Sequence, residues 1–325
     1  MNTKQIAILI GLAVIVSLFI GYRIGTQGEK TSAKTTITGQ EGEFTLLTTL
    51  EESVASPVYG HVHALAYIPE TKTLYLGAHY GLFKSVDGGS NFVKLAPKGY
   101  WPSEDVMAFA LHPSDHLTVY AAGHDLGVVK SVDGGETWEK SDSGIRGTDI
   151  HGLTINQRAP DYLFAFSVDY GVFRSTDGGA SWKRMDDGPE NPSVRSLAYM
   201  AVQTDMDKSM RWDNWGLLFA GTADGIYESF SCFCGWVKST EALETTVYSL
   251  TTHHSDLRTI YAATKDGLFK SLNEGKEWSK LNGMTSGKRF GALAVDPSDT
   301  NHLFAATEDG IVFESQDGGS TWMLK

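Results

Sequence analysis

The sequence predicts a six-bladed, all-β propeller, on three observations: one unit recurs six times, each unit carries the same Gly-rich turn frame, and strand-like runs surround every frame. The copies begin "GLFKSVDGGSNF" at Gly81, "GVVKSVDGGETW" at Gly127, "GVFRSTDGGASW" at Gly171, "GIYESFSCFCGW" at Gly225, "GLFKSLNEGKEW" at Gly267 and "GIVFESQDGGSTW" at Gly310. They recur at a period of 42 to 54 residues, which is the size of a propeller blade.

Within each unit the strands read as alternating or apolar runs rich in β-branched and aromatic residues. In the first unit these are "HVHALAYI", "TLYLGAH", "GLFKSV" and "NFVKL", and in the fifth "TVYSLTT", "TIYAAT", "GLFKSL" and "EWSKL". The run "EFTLLTTLE" from Glu43 precedes the first unit and is expected to pair with the last blade and close the ring.

The turn frame is Ser-x-Asp-x-Gly-x-x-Trp, with its acid at Asp87, Asp133, Asp177 and Asp317, Asn273 in the fifth copy and Ser231 in the fourth. Asp followed by Gly-Gly makes a hairpin: the carboxylate accepts from turn amides, and glycine takes positive φ without steric cost. Trp138, Trp182, Trp236, Trp278 and Trp322 follow five residues later and are placed to bury their rings under the turn. These acids read as structural staples.

The frame resembles the Asp-box, or BNR, repeat of sialidases, sortilin-type receptors and a photosystem assembly factor family. The pattern "HVHALAY" with "GAHYGLFKSVDGG" is also similar to exported bacterial proteins described as glycosyl-hydrolase-like. The resemblance covers nearly all of the chain from about residue 60. It implies the propeller; these families bind, sort, assemble and hydrolyse on the same scaffold.

Ahead of the repeats, Ile6 to Tyr22 is an uncharged apolar run between Lys4 and Arg23, long enough for a membrane anchor, and no small-x-small cleavage site follows it closely. The domain reading is a membrane anchor over 1–25, a Thr/Gly/Ser/Lys stalk over 26–41 and the propeller over 42–325, held outside the cytoplasm on a single-pass transmembrane helix at the cell membrane. With 27 basic and 39 acidic residues the chain carries a net charge of −12, which argues against nucleic-acid partners, while the resemblance implies a protein or saccharide ligand.

If the strands alternate in direction, the connections between blades and those between second and third strands share one face. The inner strands start there with His61-Val62-His63, Asp105-Val106-Met107, Asp149-Ile150-His151, Ser193-Val194-Arg195, Thr246-Val247-Tyr248 and Arg289-Phe290-Gly291. The second-strand ends add His79, His124, Asp169, Lys265 and Glu308. His61, His63, His79, His124, His151 and Met107 are thereby candidate copper or zinc ligands, the alternative being a water-filled mouth with hydrogen-bonded imidazoles. His112, His116, His253, His254 and His302 fall in the opposite turns and are expected to be solvated.

The sialidase resemblance implies an arginine cluster, a tyrosine nucleophile with an acidic partner, and an acid/base carboxylate. The rim supplies Arg195, Arg289, Tyr248, Glu308, Asp105, Asp149 and Asp169 as candidates, and a glycoside hydrolase using paired acids is the enzymatic alternative to a binding or assembly module. The Phe/Tyr-Arg-Ile-Pro motif is absent, its nearest echo being "YRIG" at Tyr22.

The fourth unit departs from the others. Its frame lacks the acid and carries Cys232 and Cys234, and its first connection is enlarged to hold Met206, Met210, Trp212 and Trp215, candidates for protein contact. The cysteines read as substitutions in a structural turn: a Cys-x-Cys disulfide is strained, and two thiols lack a second ligand pair.

Overall fold

The computed structural model describes residues 59–201, 216–230, 235–239, 243–253, 256–281 and 288–325, together with the backbone of 35–39 and 42–46. The chain divides into two units, Met1–Ser56 and Pro57–Lys325. In the first, Thr35–Gly39 pairs antiparallel with Gly42–Leu46, Gly39 opposite Gly42.

That pairing corrects the expected ring closure and places a strand inside the expected stalk. Glu43 lies opposite Thr38, and the last blade draws all four strands from its own repeat, ending with Met323–Leu324. A β-branched partner a few residues away costs far less loop entropy than one near the C-terminus. The ring closes instead by direct contact between the first and last blades. The Val62 N–H donates to the Glu308 carbonyl at 3.0 Å, and Val62, Leu65 and Tyr67 pack with Ala292, Ala294 and Phe304.

Six antiparallel four-stranded blades make up the second unit. Their inner strands are Val62–Ile68, Val106–Leu111, Ile150–Ile155, Ser196–Ala201, Val247–Thr252 and Phe290–Asp296. Inner and second strands are buried on both faces, which explains their nearly continuous apolar sequence, whereas outer strands such as Val93–Lys94 are short and exposed. Lys98–Gly99 adds a parallel fifth strand to the second blade.

The turn frame folds as its chemistry requires. In the second blade Ser131 Oγ accepts from the Gly135 N–H at 2.8 Å, and Asp133 Oδ1 accepts from the N–H groups of Glu136 and Thr137 at 3.1 and 2.9 Å. Asp87, Asp177, Asn273 and Asp317 accept in the same way from Asn91, Ser181, Glu277 and Thr321. Gly134 and Gly135 take φ of 74° and 86°, conformations that favour glycine. The Trp138, Trp278 and Trp322 indoles donate to the second turn residue, whereas Trp182 and Trp236 donate to Ser141 and Asp186 of the preceding blade.

These turns share a face with the connections between first and second strands: Gly88, Gly134, Gly178 and Gly318 donate their N–H groups to the carbonyls of Lys72, Leu117, Asp161 and Asn301. The opposite face is therefore free for the rim. Cys232, Cys234, Ser231, His254, Met206, Met210, Trp212, Trp215 and the apolar run Ile6 to Tyr22 lie outside the described residues. Among the described residues no helix is long and apolar enough to cross a membrane.

Candidate functional site

Five of the six inner strands carry a β-bulge at the rim. The register slips at His63, Met107, His151, Tyr248 and Gly291, each left without a cross-strand partner. A bulge bends a strand and re-aims the extra residue's side chain, and His63, Met107 and His151 at three of these bulges line the channel. The residue after the bulge is always small: Ala64, Ala108, Gly152, Ser249 and Ala292. A Cβ on Gly152 would lie 2.6 Å from Leu197 Cγ of the next blade, so the spacing between blades leaves no room for bulk.

The channel encloses about 210 Å³, and its rim-side lining includes His63, Met107, His151 and Arg195. Register places six residues in equivalent positions at the second-strand ends: His79, His124, Val168, Ala223, Lys265 and Glu308. Asp169 is thus one residue out of phase and exposed, which corrects its place among the rim acids. Each such end adjoins the start of the next blade's inner strand, and two junctions join a histidine to an aspartate: His79 with Asp105 and His124 with Asp149.

Those junctions are the core of the site. His79 Nδ1 lies 2.7 Å from Asp105 Oδ2, and because an ionised carboxylate only accepts, Nδ1 carries the proton. In the neutral ring Nε2 is then a lone pair, 3.3 Å from His63 Nε2. His124 Nδ1 lies 2.7 Å and His151 Nε2 3.1 Å from Asp149 Oδ1. At its other nitrogen, His151 Nδ1–H donates to the Val194 carbonyl at 3.2 Å.

Two sets of three ligand-capable groups result: His63, His79 and Asp105, and His124, Asp149 and His151, each with its donor atoms within 4.8 Å of one another. The sets adjoin, with His124 Nε2 4.0 Å from Asp105 Oδ2 and the His79 and His124 rings 6.5 Å apart. All six residues are half-buried. Asp105 Oδ1, Asp149 Oδ1 and His151 Nε2 are buried and receive no hydrogen bond. For Asp149 Oδ1 the two nitrogens lie within ion-pair distance, yet no N–H is aligned with the contact, so proximity here is not bonding.

Burial favours the neutral form of the two inner-strand imidazoles. Burial, followed by the neighbouring His79 and His61, pushes His63 down to about 3. Burial also lowers His151 below its ordinary value, against the opposing pull of Asp149. His61 is exposed, stacked 6.3 Å from His63 and outside both sets.

Of the hydrolase candidates, Arg195 and Tyr248 meet, without an acid beside them among the described residues. Asp105 accepts from His79, Asp149 lies against His124 and His151, and the Arg195 guanidinium lies over the Tyr248 ring at 5.6 Å. Among the described residues the Tyr248 hydroxyl has no acidic partner, and the Glu308 and Arg289 backbones simply pair across their blade. Two of the turn histidines are also corrected. His253 is 3% exposed and bonds the Asp296 carbonyl, and His302 sits on a second strand with Nδ1 and Nε2 each 2.8 Å from Asp296 and Glu314. The polar turns around them hid this, because burial comes from the adjoining blade, where the Tyr67 ring lies 5.2 Å from His302.

Compared by sequence, the chain matches no family model and no curated protein. Its fold is similar to those of solved propellers. A Niastella koreensis GH74 enzyme aligns at 19% identity over 82% of this chain and 45% of its own, with a TM-score of 0.59. The GH74 xyloglucanase of Xanthomonas campestris aligns at 16% identity over 91% and 52%, with a TM-score of 0.55. U3-55K aligns at 12% over 82% and 80%, with a TM-score of 0.55. The chain spans about half the length of the two GH74 structures, and at these identities the likeness is one of fold.

Proposed function

We propose that this chain is a membrane-tethered, extracytoplasmic binding propeller of the Asp-box type, whose ligand at the rim is a divalent transition-metal ion held by His124, Asp149 and His151. One observation carries the reading. Donation from Nδ1 to Val194 leaves His151 Nε2 as a lone pair, buried without a hydrogen bond and 3.1 Å from the equally unbonded Asp149 carboxylate oxygen.

Two acceptors in contact repel unless a cation lies between them. Burial opposes supplying that cation by protonating His151, whereas a metal ion draws both lone pairs and the adjacent His124 nitrogen together. Two imidazoles and a carboxylate would suit zinc or copper(II). Glycoside hydrolysis is the weaker reading, because Asp105 accepts from His79 and Asp149 lies within 3.1 Å of two imidazoles.

The test is metal content of the purified full-length chain in detergent, loaded with zinc or copper(II), dialysed and measured by elemental analysis. A metal content that His151→Ala lowers by one ion per chain and His116→Ala leaves unchanged supports the reading. A wild-type chain without bound metal, or an equal content in His151→Ala, overturns it.

A further inference from the structure

We infer that the rim holds a second divalent ion at His63, His79 and Asp105, so that the loaded chain carries two ions side by side. This rests on the first site being a metal site, and it adds a stoichiometry and a ligand set that the first site does not require.

The argument starts from repeat geometry. The pairs His79 with Asp105 and His124 with Asp149 occupy the same junction one blade apart, each through Nδ1 at 2.7 Å. Each pair gains a further imidazole from an inner-strand bulge, His63 on one side and His151 on the other. The two sets share no residue, so filling one does not consume a ligand of the other.

Local chemistry at the second set also fits an ion. Two nitrogens bound to zinc at 2.0–2.1 Å with a tetrahedral angle lie about 3.3–3.4 Å apart. His63 Nε2 and His79 Nε2 are already 3.3 Å apart. Asp105 holds His79 through Nδ1, the carboxylate–histidine–metal arrangement that fixes tautomer and ring orientation. Asp105 therefore orients His79 from outside the coordination shell, and His63 and His79 supply the two nitrogen donors. A single proton shared between His63 and His79 is the competing occupant.

Charge predicts unequal sites. Each set supplies two neutral imidazoles and one carboxylate, so each filled set keeps a net positive charge, and the sets adjoin at 4.0 Å. Repulsion between two such centres weakens the second ion on the order of tenfold relative to the first.

Titration of the metal-free, full-length chain with zinc, read by calorimetry, decides the matter. The expected result is two ions per wild-type chain, the second about tenfold weaker, one ion in His63→Ala and in His151→Ala, none in the double variant, and two in His61→Ala. Copper(II) loading should show dipolar broadening of the electron paramagnetic resonance signal in the wild type and lose it in either single variant. One ion per wild-type chain overturns the second site and leaves the first standing; one ion that both single variants abolish means a single shared centre and also overturns it. No ion in the wild type overturns both readings. Far-ultraviolet circular dichroism of each variant controls for folding, and the wild-type stoichiometry decides the question even if a variant fails to fold.

Discussion

The Val194 carbonyl accepts the His151 Nδ1–H at 3.2 Å and thereby determines which nitrogen of His151 faces Asp149. A backbone group of the fourth blade thus sets the tautomer of a side chain in the third. Asp149→Asn keeps the shape but removes the charge, and is expected to weaken the first ion by about 100-fold or more, since even indirect partners of metal ligands contribute 10–100-fold. Competition against a chelator of known affinity measures this.

The bulge is equally testable. Gly152→Ala brings a methyl to 2.6 Å from Leu197 Cγ, closer than carbon atoms approach in folded proteins. Overpacking of this kind costs about 1–3 kcal/mol. The unfolding midpoint in urea should fall, and metal affinity should fall with it because His151 is the preceding residue. Unchanged metal affinity would show that the bulge does not position the histidine.

The turns should give an acid-sensitive stability. Side-chain and backbone hydrogen bonds from Thr137 hold Asp133 down to about 2, and bonds from Ser181 and Thr321 hold Asp177 and Asp317 down to about 2. A carboxyl depressed in the folded state stabilises fully above its unfolded value of about 3.9, and that contribution disappears as pH falls toward the folded value. Replacing these three acids with Asn, the residue already present at Asn273, should flatten the decline in unfolding temperature between pH 5 and pH 2.5. An identical decline in the triple variant would locate the acid sensitivity elsewhere.

His302 is expected to matter for stability and not for metal. Its ring bridges Asp296 and Glu314, and Lys325 reaches Glu314 at 2.9 Å. Burial pushes the Asp296 carboxyl up, but hydrogen bonds from Ser298 and His302 outweigh that and leave it below its ordinary value. His302→Ala removes one partner from each of two shielded carboxylates that keep Ser298 and Lys325, and should cost about 1–3 kcal/mol, with zinc stoichiometry unchanged. Chemical denaturation and the zinc titration together check this.

Much of this was legible along the chain. The period, the Asp-Gly-Gly turns and the four runs per unit predict blades, because each expresses local chemistry: turn φ values, β-branched strands and carboxylates that accept from nearby amides. The rim histidines were legible too, because the repeat aligns His61, His63, His79, His124 and His151 with positions on one face. The phase error at Asp169 and the misplacement of His253 and His302 share a cause. Register, and burial by a neighbouring blade, depend on residues from another repeat that local patterning does not report. The small-residue column at Ala64, Ala108, Gly152, Ser249 and Ala292 does not mark the bulges, because Ser196 fills the same position in the unbulged fourth blade.

By itself, then, the sequence determined the blade count, the turn chemistry and which face bears the histidines. Only the tertiary structure decided that His63, His79, Asp105, His124, Asp149 and His151 meet in two sets. These residues come from three blades, and their spacing follows from ring closure, inner-strand bulges and close packing between blades, forces that act between repeats and leave little trace within one.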